Sequence, residues 1–148
     1  MDIAVLTETW LRDEQANALS EELSAGSGLS LVTLNRNPND NGVCYGGVRI
    51  VWREAFGRFK GLEFKNPEKF EVLAVAGSIK GHRRKVCVVA CYLPPGYSKE
   101  RGNRALSYLE DVVVQIKRKF QDPYIIIAGN FNQWKVQESV SNFVDIKE

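Results

Sequence analysis

The chain has 148 residues, of which 44% are hydrophobic and 26% are charged. This length suits one domain with a real core, and the composition excludes a mainly disordered chain. Lysine and arginine total 20 against 18 acidic residues, a formal net charge of +2, so the overall charge neither demands nor excludes a nucleic-acid partner. We therefore expect a single domain over residues 1–148.

The first third of the chain predicts three strands and one helix. The apolar run 3–6 is typical of a buried strand. Residues 13–24 predict a helix, because the first residue is a capping aspartate and the apolar residues share one face. Residues 29–34 read as the next strand. Residues 48–53 predict a half-buried strand, in which apolar side chains alternate with arginines such as Arg49.

The middle of the chain predicts a hairpin. Residues 53–70 are irregular and mixed, and no element is assigned to them. Residues 70–79 and 85–92 have the apolar character of strands, and the glycine-containing basic segment 80–84 predicts the turn between them.

A long helix and a last strand complete the predicted order β-α-β-β-β-β-α-β. The helix over 99–120 follows a diproline, keeps its apolar residues at helical spacing and carries cations near its C-terminus, where they suit the helix dipole. Residues 124–128 are apolar at every position, which predicts a strand that is buried on both faces and central in a sheet. The fold class is therefore mixed α and β around a substantial sheet.

The three cysteines predict free thiols. Cys87 and Cys91 lie in one predicted strand, where four residues span about 13 Å, too far for a disulfide. Cys44 remains a possible partner on paper, but no secretory signal indicates an oxidising compartment. We expect an intracellular protein. No apolar run approaches the ~18 residues of a membrane span, so no membrane partner is expected.

The basic segment 80–85 has two readings. The ordinary one is a solvated hairpin tip, in which the single histidine, His82, faces solvent. The functional one is a phosphate-contacting patch in which Arg83, Arg84 and Lys85 bind nucleic acid, provided that the patch faces the rim of an active site.

Three predicted strand ends carry polar residues that could meet. Glu8 follows the first strand, Tyr92 ends the second strand of the hairpin, and the turn Gly129-Asn-Phe-Asn132 follows the last strand. If these strands are neighbours that run the same way, their ends converge on one rim, where ligands favour binding. Each residue taken singly has an ordinary explanation in a solvated loop, in packing or in turn chemistry.

The joint pattern is more specific. The segments "DIAVLTETWL", "GGVRIVWR", "VCVVACYLPP" and "YIIIAGNFNQW", in this order with a long helix before the last, resemble the endonuclease/exonuclease/phosphatase superfamily. The resemblance covers nearly the whole chain and is closest to the apurinic-type endonuclease domain of non-LTR retrotransposons. It implies a four-layer α-β-β-α sandwich, here incomplete at both ends, and Mg²⁺-dependent hydrolysis of DNA phosphodiester bonds.

The resemblance also assigns roles to the three strand ends. It implies that Glu8 holds the Mg²⁺ ion, which prefers a few carboxylate oxygens and keeps its waters. It implies that Tyr92 lies against the scissile phosphate. Asn132 would orient the reacting groups by hydrogen bonds, since an amide both donates and accepts.

The chain departs from the family pattern inside the expected site. The family turn reads Gly-Asp-x-Asn, whereas Asn130 here occupies the position of the acid that deprotonates the attacking water. An amide cannot take that proton, and losing a general base typically costs about 10²- to 10⁴-fold in rate. A preceding strand with an asparagine and a closing strand with an Asp-His pair are also missing, and His82 in the basic turn cannot be that histidine.

Three functions remain open at this stage. The first is a retroelement-type endonuclease domain with impaired activity. This function implies DNA as the partner, no obligate protein partner and a nuclear location. The second is a non-catalytic remnant that binds nucleic acid or protein. The third is a phosphatase or lipid phosphodiesterase of the same superfamily, against which "ETW" and "GNFNQW" argue.

Overall fold

A computed structural model of the chain describes residues 2–35 and 46–134. In chain order the elements are β1 (Ile3–Thr7), α1 (Asp13–Ser24), β2 (Leu29–Leu34), β3 (Val48–Arg53), β4 (Gly57–Leu62), β5 (Glu71–Ile79), β6 (Val86–Tyr92), α2 (Lys99–Lys119) and β7 (Tyr124–Asn130). The predicted mixture of helices and strands is confirmed. Cys44 lies outside the described residues.

The strands form two sheets. The first sheet has the order β1-β3-β2, and both of its strand pairs are antiparallel. The second sheet has the order β4-β5-β6-β7, with two antiparallel pairs followed by the parallel pair of β6 and β7. The parallel pair needs a crossover connection, and α2 supplies it.

The two sheets pack face to face. Val48, Ile50 and Trp52 of β3 lie in one apolar cluster with Val75 of β5 and Val88 of β6. Side chains alternate between the two faces of a strand, so the other face of the second sheet is free to bury a second cluster against α2. Helix α1 contacts β2 on the outside of the first sheet. The layers are thus helix, sheet, sheet and helix, as predicted.

Helix α2 connects β6 to β7 and returns the chain from one end of the second sheet to the other. The Ser98 hydroxyl accepts a hydrogen bond from the Arg101 backbone N–H at 3.2 Å, which caps the first turn. Leu109, Val112 and Ile116 are fully buried against the sheet. The helix begins after the C-terminal end of β6 and ends before the N-terminal start of β7, so it runs antiparallel to both strands. No helix in the described part of the chain is long and apolar enough to cross a membrane.

In the second sheet one strand was not predicted and one prediction was wrong. Strand β4, over Gly57–Leu62, falls in the segment to which no element was assigned. Strand β7 was expected to be central and buried on both faces, but among the described strands it pairs only with β6, and Tyr124 and Ile126 are each 47% exposed. The buried central strand is instead β6, in which every residue from Val86 to Tyr92 is buried.

Arg49 was expected on a solvent-facing side of β3, and this prediction was also wrong. Its residue is only 1% exposed, because both faces of β3 are covered. Among the described residues its Nε and Nη2 atoms have no hydrogen-bond partner. Burial lowers the pKa of its guanidinium, since desolvation disfavours the charged form.

Candidate active site at the strand ends

The structure brings the three polar strand ends that the sequence singles out to the same end of the molecule. Tyr92 and Asn130 are register partners at the end of the parallel pair β6–β7. Strand β1 belongs to the other sheet, but it crosses close to β6 and β7 and delivers Glu8 to the same end of the sandwich. The ends of three strands from two facing sheets therefore form one rim.

A direct hydrogen bond joins two of the predicted site residues. The Asn130 side chain donates from Nδ2 to the Glu8 carboxylate oxygen Oε1 at 2.8 Å. The Asn130 carbonyl oxygen Oδ1 accepts from the Asn132 backbone N–H at 3.1 Å. Both ends of the Asn130 amide are thus engaged. Its Nδ2 group points at the carboxylate for which the family resemblance implies a bound metal ion.

The turn after β7 is fixed to the loop after β6 by side-chain amides. Asn132 donates from Nδ2 to the Leu93 carbonyl at 2.8 Å, and Gln133 donates from Nε2 to the Pro95 carbonyl at 3.0 Å. The Leu93 backbone N–H donates in return to the Asn130 carbonyl at 2.9 Å. Asn132 adopts a left-handed φ of 48°, a conformation that asparagine tolerates better than most residues.

Trp134 anchors the same turn to helix α2. Its indole N–H lies 3.5 Å from the Pro94 carbonyl, and its ring lies against Gly102 in the first part of the helix. A Cβ atom added at Gly102 would overlap three atoms of the six-membered ring of Trp134. A glycine inside a helix normally costs stability, and here its missing side chain makes the space that the indole fills.

A second carboxylate lies on the rim, and the sequence did not predict it. Glu71 is only 3% exposed and is the register partner of Tyr92, so Glu71, Tyr92 and Asn130 form a row across three strands. Gly46 approaches this carboxylate so closely that any Cβ there would collide with it. In the sequence Glu71 merely begins a strand, and only the register places it beside Tyr92.

The loop after β1 is held by the two glycines that precede β3. The Trp10 backbone N–H donates to the Gly46 carbonyl at 2.9 Å, and the Thr9 N–H donates to the Gly47 carbonyl at 3.4 Å. Glu8 takes a left-handed φ of 54°, which is costly for a residue with a side chain and is common at functional sites. This backbone turn directs Glu8 to the rim.

A family model that covers nearly the whole chain identifies the family. The model of the endonuclease/exonuclease/phosphatase family matches residues 1–145. The chain belongs to this family. Among curated proteins, no relative matches the sequence.

Solved structures share the fold. The human Nocturnin catalytic domain is 15% identical, with a TM-score of 0.62 over 93% of this chain and 54% of that chain. Truncated Caenorhabditis elegans TDP2 is 20% identical, with a TM-score of 0.56 over 97% and 53%. The 3′ phosphatase NExo from Neisseria, bound to a product DNA hairpin, is 21% identical, with a TM-score of 0.57 over 88% and 47%.

These similarities establish the sandwich fold and show how much of each solved structure the chain covers. The chain spans about half the length of each of the three solved structures, at 54%, 53% and 47%.

The rim offers an exposed carboxylate to a divalent metal. Members of the endonuclease/exonuclease/phosphatase family generally use divalent metals. Mg²⁺ is commonly bound through one or two carboxylates together with waters and substrate phosphates, and the exposed Glu8 can supply one such group. The described residues contain no group of three or more histidine, cysteine or acidic side chains that could hold a metal ion. Asn130 also directs a hydrogen-bond donor at Glu8, which competes with a cation there.

The predicted nucleic-acid contacts Arg83, Arg84 and Lys85 lie away from this rim. They precede β6, whereas Tyr92 ends it, so the length of a seven-residue strand separates them, about 20 Å. Arg84 is bound to the Asp122 carboxylate at 2.8 Å and lies over the Tyr124 ring at 3.7 Å. The structure therefore does not bring the basic turn, with exposed His82, to the site of the family chemistry.

The two described cysteines are buried thiols, as expected. Cys87 and Cys91 are free and fully buried on the face of β6 that packs against α2. Burial raises the pKa of Cys87 to about 11 and raises that of Cys91 further, with the Glu71 charge adding to the second shift. A thiol that stays protonated is a poor nucleophile, so neither cysteine serves as a reactive group of the site.

Proposed function

We propose that this chain is the endonuclease domain of a retroelement and that its hydrolysis of DNA phosphodiester bonds is strongly impaired. Membership of the endonuclease/exonuclease/phosphatase family and a DNA-bound structural neighbour support the reaction class. The segments "ETWL" and "GNFNQW" support the retroelement branch. The observation that carries the impairment is the hydrogen bond from Asn130 Nδ2 to Glu8 Oε1 at 2.8 Å.

The proposed roles follow from the chemistry of each side chain. Glu8 would bind Mg²⁺, which when present supplies positive charge to the scissile phosphate. Tyr92 would contact the phosphate from the row that it shares with Asn130. Asn132 is oriented by its bond to the Leu93 carbonyl and would position the reacting groups. Asn130 can neither accept the proton of an attacking water nor stabilise an incipient hydroxide by charge.

The test is nicking of supercoiled plasmid DNA with Mg²⁺ by the chain and by its Asn130→Asp form. We expect the aspartate form to nick about 10²- to 10⁴-fold faster, the usual contribution of a general base. The double variant Glu8→Gln/Asn130→Asp is the matched control and should lose that gain. Robust nicking by the unmodified chain would contradict the impairment.

A second readout does not depend on turnover. Asn130→Asp places two carboxylates side by side, and a cation between them offsets their repulsion. Melting of the aspartate form should therefore shift upward with added Mg²⁺, while the parent shifts less, because a ligand stabilises only the state that binds it. Equal shifts in both forms would show that the residue at position 130 does not contribute to metal binding.

Non-catalytic binding of nucleic acid is the second candidate. The same engaged amide favours it, since Asn130 and Glu8 satisfy each other in the absence of substrate. Binding to DNA that weakens with salt, with no nicking even in the aspartate form, would favour this function over the first. Turnover of inositol phosphates or sphingomyelin with no effect on DNA would displace both in favour of a phosphatase or lipid phosphodiesterase.

A further inference from the structure

Several cations lie at the end of the second sheet opposite the rim, although the net charge of the chain is only +2. Helix α2 runs away from the rim, so the three cations of its last turn, residues 117–119, lie at the opposite end of the second sheet. The β5–β6 turn brings Arg83 and Lys85 to that same end. Arg58 and Lys60 of β4 join them. We call this set of seven residues the basic end.

Register and one hydrogen bond place two of these cations, Arg58 and Lys85, near each other on the sheet. Arg58 and Ser78 are register partners, and the Lys85 ammonium donates to the Ser78 hydroxyl at 2.7 Å. Arg58 and Lys85 thus flank Ser78 on the face of the sheet that α2 partly covers. They are separated by two strand spacings, about 10 Å. Arg58, Lys60, Arg83 and Lys85 are all exposed.

Arg84 and Asp122 link the turn to the helix. The Arg84 guanidinium donates to the Asp122 carboxylate and backbone carbonyl, at 2.8 and 2.6 Å, and stacks on the Tyr124 ring. Asp122 lies three residues beyond the last helical residue, Lys119. This contact neutralises Asp122 and fixes the turn beside the helix end, so the neighbouring cations keep their charge facing solvent.

The acids at this end belong mainly to the other sheet. Asp2 and Glu54 lie at the start of β1 and the end of β3, and Glu54 accepts a hydrogen bond from the Ser30 hydroxyl. An open cleft of about 360 Å³ lies between the β3–β4 connection and the adjoining ends of β4 and β5, and Glu54, Arg58 and Lys80 are among its lining residues. The exposed cations of β4 and of the β5–β6 turn outnumber these two acids, and they offer a surface to a polyanion.

We propose that the basic end is a second contact site for the phosphate backbone of nucleic acid, separate from the catalytic rim. The choice of nucleic acid among polyanions rests on the proposed function. The two sites lie about 20 Å apart along β6. Because β6 is buried, a nucleic acid that contacts both sites must follow the surface between them, and its path spans at least about six base steps of 3.4 Å each. One strand of substrate can thus be held at the basic end while another part of it lies at the rim.

The experiment measures the salt dependence of binding to a fluorescent 20-base-pair duplex by anisotropy. The test variant is Arg58→Ala/Lys85→Ala/Lys119→Ala, and the matched control Arg58→Lys/Lys85→Arg/Lys119→Arg keeps all three charges. Each lost phosphate contact should reduce the slope of log affinity against log salt by about 0.9. The alanine variant should therefore bind several-fold to tens-fold more weakly at low salt, and the control should bind like the parent.

An unchanged slope and affinity in the alanine variant would overturn the proposal, because all phosphate contacts would then lie elsewhere. Binding to vesicles of anionic lipid with none to DNA would overturn the choice of partner. Circular dichroism checks that the exposed substitutions leave the fold intact. Plasmid nicking by the Asn130→Asp form reports on the proposed function separately, so a change in salt slope without any nicking supports the basic end and counts against the enzyme.

Discussion

Replacing Gly102 by alanine should destabilise the protein, although the same change in most helices stabilises it. Alanine exceeds glycine in helix propensity by about 1 kcal/mol. Here the new Cβ would overlap the six-membered ring of Trp134. Overpacking of this kind typically costs about 1–3 kcal/mol, so the net effect should be a loss of about 1 kcal/mol and displacement of the indole.

A double-mutant cycle isolates the contact. In a Trp134→Ala background the indole is gone, so Gly102→Ala should become stabilising by about 1 kcal/mol. The free energy of unfolding is measured by urea denaturation followed by circular dichroism. Asn103→Ala, at the exposed neighbouring position, is the propensity control and should stabilise slightly in both backgrounds. Stabilisation by Gly102→Ala in the parent chain would refute the reasoning.

Two further substitutions or conditions test the second sheet. Gly129→Ala would drive a Cβ into the Cys91 carbonyl and should lower the free energy of unfolding by about 3 kcal/mol or more. Gly81→Ala has open space around it and should cost only the roughly 1 kcal/mol of a left-handed backbone. Equal losses of the free energy of unfolding in urea would contradict this. The free energy of unfolding should fall between about pH 9 and about pH 11, because folding raises the pKa of Cys87 from 9.0 to about 11 and unfolding then releases a proton. In urea unfolding at a series of alkaline pH values, the free energy of unfolding of Cys87→Ala should fall less steeply than that of the parent. Identical pH profiles for the two proteins would argue against the buried thiol as the source of the fall.

The sequence predicted those elements whose own pattern decides their structure. Strand β6 is apolar throughout and helix α2 keeps its apolar residues at helical spacing, so burial and periodicity both identify them. Strand β4 has two glycines and a lysine among its six residues, and it forms because β5 offers an edge to pair with. Such pairing is a tertiary effect that outweighs local propensity.

The candidate site divides in the same way. Glu8, Tyr92 and Asn130 were found because polar residues stand out where apolar strands end. Glu71 was missed because it begins its strand, and its position beside Tyr92 depends on register, which local sequence does not encode. The exposure of β7 was misjudged because an apolar run alone does not say which of its faces another element covers.

The bond between Glu8 and Asn130 also bears on the order in which the molecule assembles. Its partners are 122 residues apart in sequence, so it closes a loop that contains nearly every described strand and helix. Loop closure of this length is entropically costly until the intervening structure has formed. The rim should therefore be among the last parts to form and the first to open, and a mutation that loosens the docking of the two sheets should disrupt it before any strand or helix is lost.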